Sequence, residues 1–332
     1  MSVWTRVKGF FRRLVGREVA PGRFEAHAKF AWHGWLAAAP FVWPRREYLV
    51  YVPRGWSRWR RTPLLVLCHG CKQTPEEFAT GTRIAAWADA NRWLVLLPRQ
   101  KDDANPWRCW NWFDPRTAAG HGEAAIVAAQ IDAAAGRYRA DPHRVVVAGM
   151  SAGGALAAVM GMRHAGAVRA VVVHSGVACG AATSALAAIG VMKSGPDTDV
   201  VALAREARLV AGNEALPVPL LAIHGTADGI VAPRNAIALV HQYLRLNGHA
   251  AADAAEPAGL PAADDERRDD AGDGRLVVTR DWRIGGRLVV RHVSIEGLGH
   301  AWSGGDAELP FNDAHAPDAT ALIAAFARDA LR

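Results

Sequence analysis

Near the middle of the chain an apolar run, RVVVA at 144–148, passes without a spacer into Gly149-Met150-Ser151-Ala152-Gly153 and then into the helical run ALAAVMGM. A strand, a glycine-bounded bend and a helix in direct succession fit a strand buried inside a parallel sheet, because both faces of that strand must be apolar. Similar short runs recur at Leu64 to Cys68, Trp93 to Leu97, Val168 to Val173 and Pro219 to Ile223. Helical patterns over 76–90 and 124–138 separate several of them. The alternation predicts an α/β fold, a mostly parallel central sheet flanked by helices with decorated rim loops. Arg46 to Val52 reads as a further strand, Arg275 to Arg280 and Arg287 to Ile295 as a hairpin turned at Gly285-Gly286, and Ala319 to Leu331 as the last helix.

One domain over 45–332 accommodates these elements, with the alanine- and aspartate-rich stretch near 250–274 expected as an exposed insertion. Residues 1–44 are expected to be a basic amphipathic N-terminal extension. There Trp4, Val7, Phe11 and Leu14 recur at helical spacing opposite Arg6, Lys8, Arg12, Arg13 and Arg17. Such a helix packs on its own domain or makes weak contact with an anionic membrane surface. Its charges interrupt the place where a secretion signal needs an apolar core, so a cytoplasmic setting is expected, with an extracellular one as the alternative.

With 51% hydrophobic and 21% charged residues the composition is globular, and no run of about 18 uncharged apolar residues offers a membrane span. The net charge of +7 is spread over scattered arginines without a recognised binding module, which argues against a nucleic-acid partner. Cys68 and Cys71 have CxxC spacing but no second pair follows, so zinc is not expected. In an oxidising compartment the four cysteines permit a disulfide; Cys71 with Cys109 is one candidate among pairings the sequence leaves open.

The bend at 149–153 has the form of a nucleophile elbow. Glycines two residues before and after Ser151 allow the close backbone approach that lifts a serine Oγ clear of the chain. A serine hydroxyl needs a base, and the base needs an orienting carboxylate. Asp228 follows the run PLLAI and the loop HGTAD; His300 follows the strand RHVSI and the turn EGLG, with His315 as its nearest competitor. The order serine, acid, histidine is that of hydrolase triads on parallel sheets. The amides of Ala152 and of Cys71, in the His69-Gly70-Cys71 turn, are candidate oxyanion donors.

HGCKQTPEEFATGT, NPWRCWNWF, GMSAGG, VHSG, HGTADGIV and GLGHAWSGG, in that order, resemble the polyhydroxybutyrate depolymerase family of esterases, which includes feruloyl and acetyl-xylan esterases. The resemblance implies the α/β-hydrolase fold, acylation at Ser151, Asp228 and His300 as its partners, and Cys71 with Ala152 as the oxyanion hole. It implies no cofactor and no metal. The expected partner is an ester substrate, small or oligomeric: short-chain hydroxyalkanoate esters first, a feruloyl-like or broad short-chain carboxylester second. A noncatalytic binding module on the same scaffold is the reading from another class. Trp107, Trp110, Trp112 and Trp302 fall in two rim loops and are candidate substrate contacts, Trp110 and Trp302 foremost. The sequence leaves the oligomeric state open.

Overall fold

A computed structural model describes residues 22–30, 45–211, 218–251, 259–272 and 274–331, and in it the apolar runs lie side by side in one ten-stranded sheet. In chain order the strands are β1 (Arg23–Phe30), β2 (Arg45–Val52), β3 (Thr62–Cys68), β4 (Leu94–Pro98), β5 (Ala140–Met150), β6 (Ala170–His174), β7 (Leu220–Gly225), β8 (Asp265–Asp270), β9 (Leu276–Ile284) and β10 (Arg287–Ile295). Across the sheet they are ordered β1-β2-β4-β3-β5-β6-β7-β10-β9-β8. From β4 to β10 every neighbouring pair is parallel. Antiparallel pairs close both ends.

The helices are α1 (Pro75–Gly81), α2 (Ile84–Asn91), α3 (Pro115–Ala118), α4 (Gly122–Tyr138), α5 (Ala152–Arg163), α6 (Ala185–Ser194), α7 (Val200–Ala211), α8 (Arg234–Asn247) and α9 (Ala319–Ala330). Strand side chains alternate between two cores, which is why the central strands are apolar throughout. Leu64, Val66, Cys68, Val145 and Val147 pack with α4, α5 and α8. Leu65, Leu67, Val146 and Ala148 face the opposite layer, with α1, α2 and α9. Helix α5 is buried from Ala152 to Met162, which its all-round apolar, small-residue sequence permits.

Three expectations need correction. The helix expected over 76–90 is two, because Arg83 takes a left-handed conformation at φ 54° and starts a new helix axis. The stretch near 250–274 is not loop throughout: Asp265–Asp270 is β8, an edge strand paired with β9. A strand of the sequence DERRDD needs no core, since backbone pairing holds it while all six side chains stay exposed, and Glu266 pairs with Arg280 at 2.7 Å. Charge on an edge strand also discourages sheet-to-sheet aggregation. Within the N-terminal 44 residues, β1 joins the sheet against β2. The basic amphipathic helix, and residues 252–258 of the insertion, lie outside the described residues.

Candidate active site

Ser151 lies between β5 and α5, as the cap of the helix, with φ 56° and ψ −122°. Its amide donates to the His174 carbonyl at 2.9 Å and its carbonyl accepts from the Ala155 amide at 2.9 Å. The flanking glycines are required by contact: a Cβ on Gly149 would lie 2.3 Å from the Gly153 carbonyl carbon, and one on Gly153 would lie 2.2 Å from the Cys68 carbonyl oxygen. The backbone therefore passes too closely at 149 and 153 for a side chain at either position, and Ser151 lies between them at the N-terminus of α5.

Asp228 lies beyond β7 with its side chain fully buried. Its Oδ1 accepts the amides of Ile230 (3.0 Å) and Val231 (2.8 Å), and its Oδ2 accepts from His300 Nδ1 at 2.8 Å. Burial pushes this carboxyl up, but the His300 hydrogen bond and charge, with the Val231 amide, outweigh it and hold it at about 2. An ionised carboxylate on Nδ1 fixes the imidazole with its proton there, leaving the Nε2 lone pair to act as a base. His315 is bonded instead to Asp313, on the exposed loop before α9. No hydrogen bond joins Ser151 Oγ to His300 among the described residues; such contacts are often long before substrate binds. Ser151, Asp228 and His300 all follow the carboxyl ends of parallel strands, β5, β7 and β10, and Ser151 lies at the β3–β5 junction, where the strand order reverses and ligand clefts form.

The turn after β3 supplies the third part. A Cβ on Gly70 would come within 3.7 Å of that of Ser151, so this turn runs beside the serine. The Gly70 amide donates to Gln73 Oε1 and the Lys72 amide to the Trp107 carbonyl, whereas the Cys71 amide between them has no acceptor among the described residues. The Ala152 amide opens α5, where helical N–H groups lack intrahelical partners. Two such donors beside one serine suit a developing oxyanion.

Cys71 is disulfide-bonded to Cys109 in the aromatic loop. That loop is anchored by Glu123, a buried carboxyl that accepts from Gln100 Nε2 (2.6 Å), the Asn111 amide (2.6 Å) and Asn111 Nδ2 (2.8 Å). Burial raises its pKa against those donors. Cys68 and Cys179 are buried and free; burial pushes the Cys68 thiol up to about 12. Among the described residues no cluster of three or more potential metal ligands occurs.

The tryptophans require a correction. Trp302 and Trp110, expected foremost at the cleft, are both buried. Trp302 stacks on His174 with centroids 5.1 Å apart, meets Phe78 edge-on and donates to Thr320 Oγ1. Trp110 donates to the His69 carbonyl, and Trp112 is buried against Phe113. Each indole fastens its loop to the core, where the large apolar ring is shielded and the N–H of Trp110 or Trp302 has an acceptor. Only Trp107 of the four is exposed, at 55%.

Two histidines near these candidate residues were not singled out in the sequence. His224 is buried with Nε2 2.8 Å from the Val231 carbonyl and 3.5 Å from Asp228 Oδ2. His174 is fully buried and held neutral, burial and then the charges of His224 and His300 taking it down to about 3. The only sequence signal for His224 is its place ahead of Asp228 in HGTAD.

The family model described as Esterase PHB depolymerase matches residues 46–266. The chain belongs to this family. Among curated proteins, poly(3-hydroxyalkanoate) depolymerase C of Paucimonas lemoignei is 31% identical over 201 residues, 60% of this chain and 48% of that protein. Feruloyl esterase B of Neurospora crassa is 30% identical over 130 residues, 39% of this chain and 43% of that one. The chain thus spans about half the length of the curated relatives it matches. Among solved structures, an acetyl xylan esterase from Aspergillus awamori superposes with a TM-score of 0.63 at 20% identity, over 77% of this chain and 89% of that one. The architecture of this member of the family is the α/β-hydrolase fold, as the resemblance implied.

Proposed function

We propose that the protein is a serine carboxylic-ester hydrolase that cleaves short-chain hydroxyalkanoate esters or oligomers through an acyl-enzyme on Ser151. The observation that carries the reading is the 2.8 Å bond between His300 Nδ1 and a buried, ionised Asp228, on the same sheet edge as a serine held at positive φ. His300 Nε2 takes the Ser151 proton as Oγ attacks the ester carbonyl, and the amides of Cys71 and Ala152 receive the oxyanion. Proton return from His300 expels the alcohol; a water activated by the same imidazole then releases the acid.

The hydroxyalkanoate assignment draws on the depolymerase relative, matched over more of this chain than the feruloyl esterase. The feruloyl esterase match supports aromatic esters as the second reading. Neither buried Trp110 nor buried Trp302 supports direct stacking on a phenolic ring; its exposure leaves Trp107 as the candidate of the four for substrate contact. The disulfide supports an oxidising compartment over the cytoplasmic setting expected from the N-terminal sequence. Among the described residues no helix is long and apolar enough to cross a membrane.

Initial rates on a soluble 3-hydroxybutyrate trimer and on methyl ferulate, with Ser151→Ala as control, test the assignment. The trimer is expected to be cleaved faster by at least about tenfold, a difference of about 1.4 kcal/mol in transition-state binding. A preference for methyl ferulate moves the protein to the aromatic esters.

A further inference from the structure

His224 belongs to β7, the strand between β6 and β10, and is buried beside Asp228. Its Nε2 lies 2.8 Å from the Val231 carbonyl, a group that can only accept, so this nitrogen carries the ring proton. The same Nε2 is 3.5 Å from Asp228 Oδ2, the oxygen that faces His300 Nδ1 at 2.8 Å. Val231 in turn gives its amide to Asp228 Oδ1, also at 2.8 Å. One imidazole on a strand therefore closes the short turn that carries the carboxylate.

Before Asp228 the chain is fastened to the loop that carries His300. The Thr226 amide donates to the Ile295 carbonyl (2.9 Å), the Ala227 amide to the Leu298 carbonyl (3.1 Å) and the Gly297 amide to Thr226 Oγ1 (3.0 Å). After Asp228 the chain returns to the end of β7, where His224 meets it at Val231. A paired, buried strand moves less than a loop, so a side chain anchored on it sets where the turn lies.

We propose that His224 is a positioning residue for ester hydrolysis: its Nε2–H, held on the Val231 carbonyl, keeps Asp228 Oδ2 in place on His300 Nδ1, a role that rests on the hydrolase reading of that pair. His224 neither touches substrate nor transfers a proton in this scheme. Burial, the largest influence on it, lowers the His224 pKa. The ring therefore donates as a neutral group and brings no second cation to the carboxylate.

The ring nitrogen NMR shifts of His300 in the full chain, identified by their loss in His300→Ala, report its tautomer, and kcat and KM on the 3-hydroxybutyrate trimer come from the same preparations. The parent should hold His300 as the Nδ1–H tautomer. His224→Asn, whose amide stops short of Val231, should let the Nε2–H tautomer appear and lower kcat by about 10- to 100-fold, with KM within about twofold. His224→Leu should do the same, and carries the test where His224→Asn does not fold. His224→Gln, whose amide nitrogen reaches about as far as imidazole Nε2, should restore both readings. A folded Asn or Leu variant with His300 still Nδ1–H and kcat within about threefold of the parent would overturn the role. So would a parent whose His300 is not Nδ1–H, a loss carried by KM, or a chain that folds only with histidine or glutamine at this position, which would mark a stabilising side chain. The tautomer is read without turnover, so a parent that shows the Nδ1–H ring, loses it in His224→Asn and yet cleaves no ester would fault the hydrolase reading and leave the hold on Asp228 intact.

Discussion

Ser151 sits at φ 56°, a conformation that costs a non-glycine residue about 1–3 kcal/mol unless its surroundings hold it there. Here β5 on one side and the buried α5 on the other fix the bend, and Gly149 and Gly153 admit the crossing backbone. Asp228 does equivalent work for the imidazole by keeping the proton on Nδ1. Asp228→Asn should still fold, at some cost in stability because the carboxylate is held ionised by its partners, yet lose about 10⁴-fold in kcat, because an amide at that position favours the wrong tautomer. Steady-state kinetics beside a thermal melt of the same preparation checks this, and a kcat within tenfold of the parent would remove Asp228 from its role. Ser151, Asp228 and His300 were legible in the sequence because each follows an apolar strand with turn residues around it. His174 and His224 were not, since a histidine in or at the end of a strand carries no sequence mark of the groups it will meet across the sheet.

At the scale of elements, the site depends on two loops being tied together. The turn carrying Cys71 is joined to the aromatic loop by the disulfide and by the Lys72–Trp107 backbone bond, and that loop rests on Glu123. Reduction should therefore let the Cys71 amide drift from its place. We expect reduced enzyme, and Cys109→Ser, to lose about 10- to 100-fold in kcat with a smaller change in KM, somewhat less than complete loss of an oxyanion donor costs. Unchanged kcat after verified reduction would contradict this positioning. Trp302 belongs to the same scale: Trp302→Ala should cost about 3–5 kcal/mol in denaturant unfolding, whereas Trp107→Ala should stay within about 0.5 kcal/mol. The aromatic density of these loops was visible in the sequence, but whether an indole faces a cleft or a core depends on the distant partners Thr320 and His69. Glu123 went unread for the same reason: its donors lie on Gln100 and Asn111, outside its own helix.

Across the whole molecule, the continuous apolar runs specified the parallel centre of the sheet, because both faces of those strands are covered. The edges were less legible. β8 is charged throughout and is held by backbone pairing with β9, which leaves no pattern in side chains. Buried histidines distributed over the sheet also give the molecule a pH signature. Burial is the chief cause that holds His69 at about 4 and His174 and His292 at about 3, against 6.5 when exposed. Between about pH 6.5 and pH 4 the unfolded chain binds protons that the folded chain does not, so stability falls as pH drops through that window. Asp228, held near 2, adds to the loss only at lower pH. Calorimetric melts should show Tm falling steeply below about pH 6.5, and a Tm constant down to pH 4 would contradict the burial of these groups. The chemistry itself is tested most directly by treating the intact protein with a fluorophosphonate probe and locating the adduct by mass spectrometry. One adduct per chain on Ser151, suppressed in His300→Ala, is the predicted result; labelling of a different serine, or ester hydrolysis that persists in Ser151→Ala, would contradict the assignment of Ser151 as nucleophile.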